Sequence, residues 1–361
     1  MTTGPGEAFP LAAKLEHLAR PASYGADTPT VERMETHLSY VFLTGRYVYK
    51  FKKPVRDAFR DFSTLEGRRL NCEEEVRLNR RLAPGIYLGV VALAQGSSGL
   101  ALEGAGEPVE WLVKMRRLPR EQMLDAALRA GRVSDHDIAR VVAALAAFYR
   151  VAQPAPLSAV AYRARFERSI DENRTALVDP RYGLERAGVE SVADGLLAFV
   201  ADQTPLLNAR AARLVEGHGD LRPEHVCLDR SPLFIDCLEF DRNLRVVDPA
   251  DEVAYLATEC LYLGAHAIAE RIVDVYRAEA GDAVDSALLR FYQACRALTR
   301  AKLAALHLDD ARPDGGRSKW IAQANDYLAL ARDRLLSPEA TPRSIPPGSA
   351  AGSLRRRGAR S

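Results

Sequence analysis

The segment from His218 to Asp236, HGDLRPEHVCLDRSPLFID, constrains this chain more than any other. It opens with a polar stretch carrying Asp220, Arg222 and His225. Two short apolar strands follow, VCL and LFIDCL, separated by a turn at Asp229-Arg230-Ser231-Pro232. Asp236 closes the apolar run LFI within the second. A carboxylate on a rigid loop, a second donor five residues on and an aspartate after the next strand form a recognisable chemical set. They can orient a hydroxyl nucleophile, hold a divalent metal ion on phosphates and offset the charge of a transferred group.

The rest of the chain has the size and texture to support such a site. Its 361 residues suffice for one large domain or two lobes, and 47% apolar with 27% charged residues is an ordinary globular balance. A net charge of +2 calls for neither nucleic acid nor a membrane as partner. No apolar run reaches the ~18 residues of a membrane helix, and MTTGPGEAFPLAAKLEHLAR lacks the basic and apolar regions of a signal peptide. Cys72, Cys227, Cys237, Cys260 and Cys295 form no CxxC and read as reduced thiols, which with the missing signal points to the cytoplasm.

Four regions follow from the patterning. Residues 1–28 form a leader with one amphipathic piece, Leu11 to Leu18. Residues 29–118 read as a small sheet carrying one main helix. Its strands are HLSYVFLTGRYVYKFKKP around Thr44-Gly45, then IYLGVVAL, GLALEG and PVEWLVKMRRL; its helix is RDFSTLEGRRLNCEEEVRLNRRLAP, closed by Pro84. Residues 119–336 are mostly helical: a helix capped by Ser134, helices over Phe166 to Leu177, Val189 to Phe199 and Pro205 to Val215, and continuous helix from Asp251 to Leu335. Residues 337–361, rich in Pro, Gly, Ser, Ala and Arg, read as a disordered basic tail ending in LRRRGAR. No internal repeat and no GxxxxGK[ST] occurs.

HGDLRPEH resembles the protein-kinase pattern HRDLKPEN, and its HGDL resembles the aminoglycoside phosphotransferase branch of the protein-kinase-like superfamily. The chain is most similar to a group of bacterial aminoglycoside-phosphotransferase-family proteins. THLSYVFLTGRYVYKFKKP, CEEEVRLNRRLAP, HGDLRPEHVCL and IDCLEFDRNLRVVDPADEVAYL carry that resemblance, from residue 30 to about 335. It implies an α+β, bilobal protein-kinase-like fold, with a small sheet lobe and a large helical lobe. It also implies ATP as phosphate donor, Mg²⁺ as metal and a small-molecule hydroxyl as acceptor. By the same resemblance Asp220 is the catalytic base, Arg222 meets the transferred phosphate and Asp236 chelates the metal.

The superfamily holds nucleotide phosphates with a strand lysine paired to a helix glutamate, and Tyr47-Val48-Tyr49-Lys50 resembles that strand. Glu75, Leu78 and Leu82 share one helix face, which turns Glu75 inward toward Lys50; Glu74 is the rival. The other reading makes Lys50, Lys52 and Lys53 a solvated strand edge and CEEE a charged surface. Lys114 and Met115 fall where the strand runs into the hinge, where backbone groups would meet adenine. The phosphate-covering loop falls at Glu35-Thr36-His37-Leu38-Ser39, without a GxGxxG.

DPADEVAYL resembles DPxxDLA, in which an acidic residue buttresses the catalytic loop; Asp251 and Glu252 are the candidates, helix N-capping the alternative. About fifteen residues separate Asp236 from this helix and no APE-like motif occurs, which favours a small acceptor over a peptide. Asp171, Glu172 and Glu259 are acidic groups that could meet a cationic acceptor, or simply face solvent. His225 departs from the family pattern, which has Asn there. An imidazole suits Mn²⁺ or Zn²⁺ better than Mg²⁺. His225 is therefore a ligand to a softer metal, a support behind Asp236, or the mark of a nucleotide-binding pseudokinase.

Overall fold

The computed structural model describes residues 9–36, 38–56, 61–97, 99–310 and 316–336. Helix α1 (Leu11–Leu18) is followed by strands β1 (Glu32–Glu35), β2 (Ser39–Leu43) and β3 (Tyr47–Lys52), helix α2 (Leu65–Asn79), and strands β4 (Tyr87–Gly96), β5 (Gly99–Leu102) and β6 (Glu107–Arg116). The strands form one antiparallel sheet in the order β1-β2-β3-β6-β4-β5. The strand readings agree with this sheet. The helix is shorter than expected: α2 stops at Asn79, and Leu82 and Ala83 turn back onto it through backbone hydrogen bonds to Asn79 before Pro84 is reached.

Because side chains alternate across a strand, register decides what the sheet faces. Phe42, Tyr49, Phe51 and Leu112 pack with Leu15 and Leu18 of α1. Val113 lies on the opposite face with Cys72 and Val76 of α2 and with Tyr87. Lys50 pairs in register with Val113, so β3 presents it to the α2 face. The leader helix is thus part of the sheet's packing. Lys14 is buried and donates to Glu110 (3.0 Å), which also accepts both arms of the buried Arg68 (2.8 and 2.9 Å).

Beyond β6 the chain is a helical body: α3 (Leu124–Arg129), α4 (Asp135–Val151), α5 (Ala159–Leu177), α6 (Arg186–Asp202) and α7 (Thr204–Arg210), then β7 (Val215–Glu216), β8 (Val226–Cys227), β9 (Leu233–Phe234), α8 (Arg242–Arg245) and β10 (Val246–Val247), and finally α9 (Pro249–Tyr262), α10 (His266–Ala280), α11 (Ser286–Asp310) and α12 (Arg317–Leu336). Ser134 caps α4 in a reciprocal capping box with Asp137. The helix expected over Pro205 to Val215 ends at Arg210, because Val215 and Glu216 are taken up as β7, paired with β10. Every residue of α9 from Pro249 to Leu261 is buried, which makes it the axis of the body. No helix among the described residues is long and apolar enough to cross a membrane. The basic tail lies outside the described residues.

Candidate active site

Strand β7 delivers the chain into the loop at Gly217-His218-Gly219-Asp220, and both glycines are required by close approach. A Cβ on Gly217 would stand 2.6 Å from the Glu252 carboxylate and from Val247. Gly219 has φ +89°, and a Cβ there would stand 3.0 Å from the Cβ atoms of Arg245 and Leu238. Glu252 reaches this space because the first turn of α9 points at the loop. Its Oε1 accepts the N–H groups of His218 (2.8 Å) and Gly219, and its Oε2 accepts the Tyr149 hydroxyl (2.8 Å). The buttress is therefore Glu252. Asp251 instead makes a two-armed pair with Arg296 (2.8 and 2.7 Å), and the N-cap is Asp248, which accepts the Ala250 N–H (3.0 Å).

His218 is fully buried beneath the loop. Its Nδ1 accepts the Asp220 N–H (3.3 Å), so the proton on Nε2 faces the Ile235 carbonyl (2.9 Å). Burial, and then the neighbouring His225, hold its pKa down to about 4, so the ring is neutral and structural near pH 7. It ties the loop to the residue preceding Asp236.

Asp220 accepts the Tyr255 hydroxyl (3.0 Å) and lies 3.0 Å from Arg222 Nε. Burial raises its pKa, but the charges of Arg222, His225 and Arg300 outweigh this and hold the carboxyl down to about 2. Arg222 also pairs with Glu224 (2.5 Å). Its Nε is buried and, despite the nearby carboxylate, has no hydrogen-bond partner among the described residues.

Asp236 sits at φ +62°, one of two non-glycine residues among those described with a positive φ. Such a conformation costs on the order of 1–3 kcal/mol and persists only where its surroundings enforce it. They do so here. The Asp236 N–H donates to the Tyr87 hydroxyl (3.0 Å), the Cys237 N–H to Asn79 of α2 (2.9 Å), and the Leu238 N–H to the His218 carbonyl (2.9 Å). The twist leaves the carboxylate 44% exposed, with Oδ1 on Lys50 (2.6 Å). Burial opposes its ionisation; Lys50 and His225 prevail and hold its pKa well below the usual carboxylate range.

Lys50 also donates to Glu75 (2.9 Å), whereas Glu74 pairs with Arg77 (2.7 Å) and Arg245 (2.8 Å). That decides between the two glutamates. The solvated-edge reading fails for Lys50 and Lys52 together. Lys52, two residues along the same face, is 1% exposed and pairs with both Glu75 and Glu239. Lys53, 17% exposed, pairs with Glu35 (2.7 Å), whose side chain is 47% exposed. Unbroken contacts thus link Glu239, Lys52, Glu75, Lys50, Asp236, His225, Asp220 and Arg222.

Lys114 is not brought to this cluster. It pairs in register with Tyr49, on the sheet face opposite Lys50, where its ammonium meets Glu103 (2.6 Å) and the rings of Tyr47 and Tyr49. Met115 faces the α2 side, packed beside Ile235. Both residues belong to a strand paired on its two sides, and the Arg116 N–H is taken by the Ile86 carbonyl (2.9 Å). The expected phosphate loop is a tight turn in which Thr36 and Ser39 bond each other; His37 lies outside the described residues. Asp171 and Glu172 line a depression of about 650 Å³ along α5 that shares no lining residue with the cluster. Glu259 is buried against Arg300 (3.0 Å) and the Tyr327 hydroxyl (3.0 Å).

His225 decides how well the donor set suits a metal ion. Its Nδ1 lies 2.8 Å from the Asp220 backbone carbonyl, which can only accept, so Nδ1 carries the proton in the neutral ring. The lone pair of Nε2 then faces Asp236 Oδ2 at 3.6 Å, with Arg222 Nη2 at 3.3 Å. Arg222 Nη2 can only donate, so the Nε2 lone pair is engaged by that guanidinium, with Asp236 beyond hydrogen-bond distance. No group of three or more His, Cys, Asp or Glu suited to a metal occurs among the described residues, so protein donors alone do not complete a coordination shell.

Lys52, Glu239, Tyr87, Tyr255 and Arg300 are not legible as site residues from the sequence, although strand alternation places Lys52 beside Lys50. No protein-family profile matches the chain. Three uncharacterised mycobacterial proteins, from Mycobacterium bovis and two strains of Mycobacterium tuberculosis, are each 32% identical over 326 residues. The match covers 86% of this chain, which spans 60% of the length of those curated relatives. Among solved structures, a choline/ethanolamine kinase family protein from Mesorhizobium loti aligns over 91% of this chain and 95% of its own, at 16% identity and TM-score 0.54. A glucosamine kinase in complex with glucosamine, ADP and inorganic phosphate aligns over 90% and 84%, at 15% identity and TM-score 0.48. An aminoglycoside phosphotransferase from Streptomyces rimosus, in complex with ADP and streptomycin, aligns over 80% and 98%, at 19% identity and TM-score 0.47.

Proposed function

We propose, from the premise that this chain has the protein-kinase-like fold, that it is an ATP-dependent phosphotransferase acting on a hydroxyl of a small molecule. The observation that carries the reading is the contact chain from Glu75 through Lys50 and Asp236 to Asp220, assembled from residues far apart in sequence. In this reading the sheet unit and the helical body are the two lobes, and the nucleotide lies between Lys50 and the loop at Asp220.

Each residue then has a task. Lys50, held by Glu75, binds nucleotide phosphate. Asp236, and His225 Nε2 where Arg222 releases it, would hold the metal, Mg²⁺ or Mn²⁺, which would offset charge on the phosphates. Asp220 orients the acceptor hydroxyl and takes its proton as the hydroxyl oxygen bonds to the γ-phosphorus and the bond from that phosphorus to the bridging oxygen breaks, releasing ADP. A carboxyl held near pKa 2 stays ionised at neutral pH and serves mainly as an orienting acceptor, which suits a loose transition state. Arg222, whose guanidinium lies against Asp220 and Glu224, is the cation that meets the transferred group.

Asp220→Asn should lower acceptor-dependent ADP formation by roughly 10²–10⁴-fold with the fold intact. Full turnover in that variant would sink the reading. A second reading, nucleotide binding without transfer, draws on His225 and on the glycine-free turn at Thr36 to Ser39. It predicts thermal stabilisation by ATP with no phosphorylated product from any metabolite pool.

A further inference from the structure

Arg300, on α11, has a guanidinium only partly in use. Its Nε donates to Glu259 (3.0 Å) and approaches the Tyr327 hydroxyl (3.4 Å), while neither Nη makes a hydrogen bond among the described residues. Its side chain keeps 16% exposure while that of Glu259 keeps 5%, so Arg300 is the more accessible member of the pair. One turn earlier Arg296 is held by Asp251 and stands 4.9 Å over the ring of Tyr255, whose hydroxyl donates to Asp220. Asp251, Tyr255 and Glu259 recur every four residues on α9, as Arg296 and Arg300 do on α11, so the two helices face each other as a ladder. Arg300 is the rung beyond the tyrosine that holds Asp220, and its charge contributes to the low pKa of that carboxyl.

The charges around this position are Arg222, Arg296 and Arg300 against Asp220, Glu224, Asp251 and Glu259. Each of those carboxylates has a cationic partner. The unspent donors are the two Nη groups of Arg300, a fork matched to a planar carboxylate or a phosphate. We infer that the acceptor carries an anionic group, carboxylate or phosphate, beside its reactive hydroxyl, and that Arg300 receives it. The inference rests on the phosphotransferase reading for the hydroxyl. It reverses the cationic acceptor that Glu259 suggests in the sequence, because that carboxylate is buried and already paired.

The test uses the full chain without nucleotide and four matched probes: glucose, glucosamine, gluconate and glucose 6-phosphate, followed by thermal shift. Gluconate or glucose 6-phosphate should stabilise the protein, and which of them does so separates the carboxylate source from the phosphate source. Glucose and glucosamine should have no effect. Stabilisation by glucosamine or glucose, or by none of the four, overturns the inference. Glu259→Gln should strengthen the anion response by releasing Arg300; a cationic site predicts the opposite sign. Arg300→Gln alone leaves Glu259 buried and unpaired, so the double variant Arg300→Gln/Glu259→Gln is the control for folding. It should lose the response by on the order of tenfold or more, and a response that survives in it also overturns the inference. Turnover with ATP is read separately, so an anion response without product refutes phosphotransfer and leaves the anion site standing.

Discussion

Two charged networks meet at Asp220, and their outermost members differ in sign. On the sheet side Glu75 is fully buried between Lys50, 14% exposed, and Lys52, 1% exposed, and the open end is the carboxylate of Asp236, 44% exposed. On the α9–α11 side the acids are interior, Asp251 at 11% and Glu259 at 5%, while Arg296 and Arg300 are 19% and 16% exposed. The first network therefore ends on a carboxylate and the second on guanidinium groups, although both have a buried acid behind them.

The contrast can be broken most directly at Glu75, which serves two buried lysines. Glu75→Gln should cost about 3–5 kcal/mol, as removal of one partner from a buried pair does, and lower the melting midpoint by roughly 5–15 °C. Its pH dependence sharpens the contrast. The folded pKa of Glu75 is depressed because Lys50 and Lys52 overcome the cost of burial. Its stabilisation is therefore present above the unfolded value of about 4.3 and lost as pH falls through the folded value. Glu259 is the reverse: burial raises its pKa against Arg300, so its contribution is most favourable below about 4.3 and declines as pH rises through the folded value. Urea midpoints between about pH 7 and about pH 3.5 should show the penalty of Glu75→Gln shrinking on acidification and that of Glu259→Gln growing. Parallel trends would erase the distinction.

On the ladder, Asp251→Asn should cost about 1.5–3 kcal/mol, the range for a charged hydrogen bond, since Arg296 retains some access to water. A melting penalty equal to that of Glu75→Gln would show that the two networks are equally interior. The smallest effect is expected at their junction. His225→Asn should narrow any preference for Mn²⁺ over Mg²⁺ in ATP turnover by on the order of tenfold. Unchanged metal preference would remove His225 from the metal's coordination.

The loop at Asp220, the strand ending near Lys50 and the leader helix over Leu11–Leu18 were legible because local patterns encode them: loop residues, period-two alternation and an amphipathic turn. The early end of α2 and the strand at Val215 were not, because both are set by where the chain next pairs. The role of Lys52 was half legible. Alternation gives its face, but its burial depends on Glu239, far along the chain.

By itself the sequence determined which groups could act and in what order they occur. Asp220, Arg222, His225 and Asp236 lie within one short segment, where spacing alone limits their arrangement. Tertiary structure decided which acid answers which base. It chose Glu75 over Glu74, Glu252 over Asp251 as the loop's buttress, and Arg300 as a guanidinium with donors to spare. The physical reason is that a charge takes its character from its partner and its burial. Both are supplied by chain segments that no local pattern can foresee.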